Sequence, residues 1–265
     1  MRDFQYLDQA AISVLKTDKA VAKAMVSNDV AAAWREARLK PRFEKRPPDR
    51  PARPDRPRLI APGEVPKRRK GGNLGNRIAL LHAVAHIELN AIDLAWDIIA
   101  RFGGAMPGAF TDDWIKVGDE EAKHFLLIRN RLLAFDSDYG ALDAHDGLWE
   151  AAESTAHDVA ARLAIVPMVL EARGLDVTPG MIKRFRNSGD EESAAALDTI
   201  YREEIGHVAT GARWFRYVSE QRDERPENYF HTLVDRHFSG QLKPPFNDNA
   251  RTLAGMGEEY YAPLV

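Results

Sequence analysis

The chain has 265 residues, 45% of them hydrophobic and 29% charged, a net charge of -3 and no cysteine. These proportions exclude an intrinsically disordered chain, and the missing cysteines exclude disulfides, thiolate ligands and a thiol nucleophile, so any metal must be held by nitrogen and oxygen. The N-terminal Met-Arg-Asp-Phe-Gln-Tyr-Leu lacks a secretory pattern and no stretch reads as long and apolar enough to span a membrane, so the expectation is a cytoplasmic protein with one principal domain and long appendages.

Residues 6–38 carry alanine-rich helical spacing and predict two short helices, with Asp18 and Asn28 as caps. Residues 40–70 hold 8 of the 15 prolines and 12 Lys or Arg against Glu44, Asp49, Asp55 and Glu64. That is a local charge of +8, which leaves -11 for the rest: a basic arm on an acidic body. Proline at this density favours extended backbone, so 40–73 is expected to be an arm draped on the body. Its Arg, Pro and Asp alternation (Pro51-Ala52-Arg53-Pro54-Asp55-Arg56-Pro57) reads as a solvated segment salt-bridged to that body. Aromatic residues for base stacking are absent beyond Phe43, so nucleic-acid contact is not favoured; Lys67-Arg68-Arg69-Lys70 stays a candidate phosphate-binding or substrate-steering patch.

Gly71-Gly72-Asn73 punctuates the chain, and a long amphipathic helix is predicted from 74 to 102, ended by Gly103-Gly104. Thr111-Asp112-Asp113 reads as the cap of a second helix running to about Phe135. A third is predicted from 148 to 172, ending at Gly174, then a minor helix opened by Thr178-Pro179, and a fourth from 190 to about 222. The polar connection near 137–147 could cross one bundle end or run partway along it. The expected organisation is an N-terminal helical extension (1–39), the arm (40–73), an all-α four-helix bundle (74–222) and a C-terminal packing tail (223–265).

Two copies of Glu-x-x-His, Glu121 with His124 and Glu204 with His207, each follow a lone helical acid, Glu88 and Glu171, at a spacing of 33 residues. Residues i and i+3 share a helix face, so each pair can reach one metal. Dinuclear carboxylate bundles take one Glu from each of two helices and a Glu-x-x-His from each of the other two. Six ligands with four negative charges balance two divalent cations. Each acid also lies in an apolar stripe, Glu88 among Leu81, Val84, Ala85 and Ile92, where an isolated carboxylate needs a cation or a proton. One Glu-x-x-His is commonly a solvated pair; two, with matching lone acids and equal spacing, point to metal and to a pseudo-twofold relation between helix pairs. Oxygen-rich ligands with imidazole suit iron first, then manganese as two Mn or a mixed Mn/Fe pair.

Other candidates are weaker. His82 and His86 lack the intervening Glu of a zinc protease and read as hydrogen-bonding residues, His86 also as a support for the ligands. His157 reads as structural, and Tyr201, three residues before Glu204, as a redox-active phenol or a core tyrosine, with the catalytic role the bolder reading. Pro167 should kink the third helix and free a carbonyl near Glu171. Gly118 and Gly211 either leave room beside the metals or let helices pack closely.

His82-Ala-Val-Ala-His86-Ile-Glu88 with the following Leu-Asn-Ala-Ile-Asp-Leu-Ala-Trp96-Asp97, the Asp119-Glu-Glu-Ala-Lys-His124-Phe and Glu203-Glu204-Ile-Gly-His207-Val segments, and the Pro/Arg-rich arm together resemble the bacterial ferritin-like proteins catalogued as domain of unknown function 455. The resemblance implies a ferritin-like fold and a dinuclear metal site, and names no activity. More distantly the ligand pattern is similar to a tRNA-modifying di-iron hydroxylase, bacterioferritins and manganese catalases. The expectation is a non-haem di-iron oxidoreductase that activates dioxygen or peroxide and oxidises an organic substrate. Alternatives are a hydroxylase acting on tRNA, manganese-catalase-like peroxide removal, and non-enzymatic metal storage or oxidative-stress protection.

Overall fold

The computed structural model describes residues 4–64 and 73–265, and no strand occurs among them. The fold is all-helical. The chain divides into two compact units, Met1–Trp149 and Glu150–Val265.

The first unit contains α1 (Leu7–Leu15), α2 (Ala20–Arg35), α3 (Leu74–Phe102) and α4 (Gly108–Leu133). α3 begins where Asn73 accepts a hydrogen bond from the Asn76 amide (2.9 Å) and passes at Gly103 into a 3₁₀ turn. Bare glycines are needed there. A Cβ on Gly103 would lie 2.6 Å from the Phe43 ring, and one on Gly104 2.8 Å from Phe43 Cβ, so the pair makes the seat for the one aromatic residue of the arm.

α3 packs along α4, with α1 against α3 and α2 against α4. At the centre Trp96 Nε1 donates to Ser27 Oγ (2.6 Å), and Ser27 donates to the Gly118 carbonyl (2.7 Å), tying α3, α2 and α4 together. Two expected caps are corrected. Asn28 lies inside α2 and bonds Asp119 (2.6 Å), while Asp18 gives way to Lys19 as the residue before α2. α4 starts three residues before Thr111, after Pro107, because Asp112 is used as an acceptor for Trp34 Nε1 (2.8 Å).

The described part of the arm, 40–64, is extended and fastened to the same unit. Its Ala52 amide bonds the Leu15 carbonyl (2.8 Å), and two backbone hydrogen bonds tie it to Ala144 of the 134–146 connection (Ile60 N–H to Ala144 O, 2.9 Å; Ala144 N–H to Arg58 O, 3.0 Å). Its cations meet acids of the body as expected: Arg58 with Asp143 (2.7 Å), Arg50 with Asp146, and Arg53 with Asp93 (3.3 Å).

The helix α5 (Gly147–Ser154) lies across the unit boundary. The second unit holds α6 (Val159–Ile165), a π-helical stretch (Val166–Glu171), α7 (Ala172–Asn187), α8 (Glu191–Gln221), α9 (Pro226–His237), α10 (Asp248–Leu253) and α11 (Glu258–Tyr261). The single third helix expected over 148–172 is thus broken. Buried Arg162 donates to the Ala152 carbonyl (2.5 Å) and Thr155 Oγ1 (3.1 Å) at the end of α5, and Asp158 caps α6 by accepting from the Ala160 amide (3.0 Å). The separate minor helix is corrected as well, since α7 runs unbroken through Gly174 and Pro179. Its buried residues Ala172, Leu175, Thr178, Ile182 and Phe185 form one apolar face packed on α8, and that burial outweighs the local cost of proline.

The tail packs onto this unit through rings. Phe230 meets Phe215 and Tyr260 edge-on, with centroids 6.0 and 5.5 Å apart. Arg251 pairs with Asp176 (2.7 Å) beneath Tyr261.

One composition reading is also corrected: Leu74–Ala105 contains an 18-residue window apolar enough, by length and composition, to cross a membrane, and 72% of that window is buried within the protein. A helix packed on neighbours along most of its length is apolar for the same reason a spanning helix is.

Candidate metal centre

Each unit carries one Glu-x-x-His pair, and the two have closely matching geometry. In the first unit His124 Nδ1 lies 3.4 Å from Glu121 Oε2 and 3.3 Å from Glu88 Oε2, so α3 and α4 bring three of the expected ligands together. All three are buried, with Glu121 and His124 at 0% exposure. In the second unit His207 Nδ1 lies 3.4 Å from Glu204 Oε1 on α8. His207 is buried and Glu204 is half-buried with a side chain 14% exposed. Glu171, also half-buried, is the last residue of the π-helical stretch that packs against α8.

The electrostatics of the first unit suit a cation. Burial alone pushes the His124 pKa down, but hydrogen bonds and charge from Glu121 and Glu88 outweigh it and raise the pKa to about 11. The carboxylates that favour an imidazolium proton equally favour a divalent ion, and metal binding must release that proton. Within each pair the ligand atoms lie within 4.8 Å of one another, and Glu121, His124, Glu204 and His207 are side chains that could hold a metal ion. The donor set is nitrogen and oxygen only, which the chain's composition requires.

His82 and His86 belong to different work. His82 Nε2 accepts from the Gly140 amide (2.9 Å), and His86 Nε2 faces the His145 carbonyl (2.9 Å) while Nδ1 faces the Tyr139 hydroxyl (2.9 Å). A carbonyl only accepts, so His86 carries its proton on Nε2 and takes the tyrosine proton's hydrogen bond at Nδ1. Burial holds His86 neutral, with a pKa lowered to about 4. Both histidines therefore pin the 134–146 connection onto α3.

They open a polar stripe on α3 that the sequence reading passed over. His82, His86, Asn90, Asp93 and Asp97 recur at helical spacing and are all buried. Asn90 accepts from Arg53 (2.6 Å), Asp93 pairs with the fully buried Lys23 and with Arg53, and Asp97 pairs with Arg101 (2.7 Å). The signal was available as a second periodic polar face on an otherwise apolar helix. Tyr139, in contrast, sat in a stretch read only as a polar connection.

Tyr201 accepts a hydrogen bond from Asn247 Nδ2 (2.8 Å), the residue that caps α10. His157 stacks obliquely on His237, with ring centroids 5.5 Å apart. Gly118 and Gly211 serve close packing: a Cβ would come within 2.9 Å of Trp96 Nε1 at the first and 2.5 Å of the Pro167 ring at the second. The basic run at 67–70 lies outside the described residues.

The sequence matches the family described as "Protein of unknown function (DUF455)" over residues 16–262. The chain belongs to this family. A relative from Haemophilus influenzae, described as an uncharacterized protein, is 41% identical over 208 residues, covering 76% of this chain and 72% of the relative. No solved structure matches the chain.

Proposed function

We propose that this DUF455 protein is a ferritin-like dinuclear metal protein in which Glu88, Glu121, His124, Glu171, Glu204 and His207 hold two iron ions, with manganese as the alternative, and that it is an oxidoreductase using dioxygen or peroxide. The observation that carries the reading is the repeated geometry, a helical His Nδ1 3.4 Å from the carboxylate three residues before it in each unit. In this reading α3, α4, the α6-to-α7 segment and α8 are the four helices of the bundle. Four carboxylates offset the charge of two divalent ions, which explains why acids are tolerated among apolar neighbours.

A pair of such ions supplies one- and two-electron redox chemistry toward oxygen species. The chain's own residues do the rest. Glu121 and Glu204 orient their histidines, His124 gives up its proton when a cation binds, and the apolar neighbours of Glu88 and Glu121 exclude water. The organic substrate is not specified by these residues.

The test is to load the purified chain anaerobically with Fe(II), then admit dioxygen or peroxide. Uptake of dioxygen sustained by an added reductant supports an oxygenase or oxidase. Release of dioxygen from peroxide assigns catalase-like removal instead, and iron accumulation far above two per chain assigns storage. A mobility shift with tRNA would direct the search for substrate to nucleic acid. A chain that takes up no metal overturns the proposal.

A further inference from the structure

The second unit carries a device that aims Glu171, and its meaning rests on the metal reading above. α6 ends at Ile165, and the backbone widens into π-helical turns over Val166–Glu171 before α7 resumes. The Ala172 amide donates to the Pro167 carbonyl, five residues back. The local cause is Pro167. It has no N–H to donate, and its ring collides with the carbonyl four residues earlier, that of Leu163, so the turn opens. Each residue added to a helical turn rotates everything after it by about 100°. Glu171 ends the widened stretch, so the direction of its carboxylate depends on that widening.

A separate contact fixes the stretch in place. A Cβ on Gly211 would lie 2.5 Å from both Cβ and Cγ of Pro167, nearer than real carbon atoms approach. Gly211 follows Glu204 by seven residues and His207 by four, which puts it on the same face of α8 as those two residues. The proline ring is therefore seated on α8 one turn beyond His207, and only glycine allows that approach.

We infer that Pro167 and Gly211 are positioning residues that aim Glu171 at the Glu204-x-x-His207 pair. Neither contributes a ligand; both act through the carboxylate. A proline kept within a helix for packing alone would leave metal binding untouched when replaced. Replacing this one restores a backbone hydrogen bond and at the same time turns Glu171 away.

The experiment titrates the metal-free full-length chain, Pro167→Ala and Glu171→Gln with Co(II), reading visible absorption, and measures the melting temperature of each metal-free protein. Wild type should bind about two Co(II) per chain. Pro167→Ala should melt at the same or a higher temperature, yet bind its second Co(II) about 10- to 100-fold more weakly, the size expected for groups that orient ligands. Its Co(II) spectrum should match that of Glu171→Gln. Gly211→Ala should weaken Co(II) binding in the same way. Unchanged affinity and spectrum in Pro167→Ala would overturn the inference, as would a loss of Co(II) by Pro167→Ala that appears only together with a fall in its melting temperature. A wild-type chain that binds no Co(II) would instead overturn the metal reading on which the inference rests.

Discussion

Removing Asp93 should destabilise the first unit far more than removing its partner Lys23. Both side chains are fully buried, and they form an ion pair between α2 and α3. Lys23 Nζ also donates to the Ala52 carbonyl (2.9 Å), and Arg53 lies 3.3 Å from the other Asp93 oxygen. Asp93→Ala therefore leaves a buried ammonium and a largely buried guanidinium facing each other, and breaking a buried pair in this way costs about 3–5 kcal/mol. Lys23→Met keeps the volume of the side chain and leaves Asp93 paired with Arg53, so its cost should be about 1 kcal/mol. Burial, together with the like charge of Arg53, lowers the Lys23 pKa more than Asp93 raises it, which means the ammonium is not fully compensated for leaving water. The unfolded chain then binds more protons between the folded pKa and the ordinary 10.5, so this group's contribution to stability rises with pH through that window. Urea denaturation followed by circular dichroism reads the difference. With a slope of about 2 kcal/mol per molar, the two midpoints should differ by about 1–2 M. Equal midpoints, or a larger loss in Lys23→Met, would refute the reasoning.

Gly118→Ala should cost about 1–3 kcal/mol, because the new methyl meets Trp96 Nε1 at 2.9 Å, where the indole bonds Ser27; an unchanged melting temperature would count against this. Asp158 is shifted oppositely by burial, which raises its pKa, and by Arg222 and the Ala160 amide, which lower it further, so the net value falls below the ordinary 3.8. A depressed carboxylate stabilises the fold above 3.8, and that contribution disappears as pH falls through the folded value. Asp158→Asn should thus cost no more than about 1 kcal/mol at neutral pH, since Arg222 is 39% exposed, and the two proteins should converge in acid; a gap that persists in acid would show another cause.

The sequence was most legible where local chemistry and tertiary packing agree. α3 could be bounded at Leu74 and Phe102 because Asn73 is a genuine cap and Gly103 ends the regular turns. The Glu-x-x-His faces were legible because helical spacing alone brings His124 to Glu121 and His207 to Glu204. The break between α5 and α6 was not, because it is made by Arg162 reaching back to carbonyls that no periodicity reveals. The unbroken α7 was missed for the opposite reason: Pro179 is a strong local stop signal that one buried face overrides. Pro167 was read as a kink, and the structure gives that disturbance a specific form ending on Glu171. The arm's salt bridges were legible as charge complementarity, but their buried half, the polar stripe of α3, was hidden in a helix judged only by its apolar residues.

The central claim is that one chain holds two metal ions with six named side chains. Anomalous X-ray diffraction at the iron edge, from crystals of the Fe(II)-loaded protein, tests it most directly. The account predicts two iron peaks about 3.5–4 Å apart, bounded by Glu88, Glu121, His124, Glu171, Glu204 and His207. A single peak, or iron held by other residues, would contradict it.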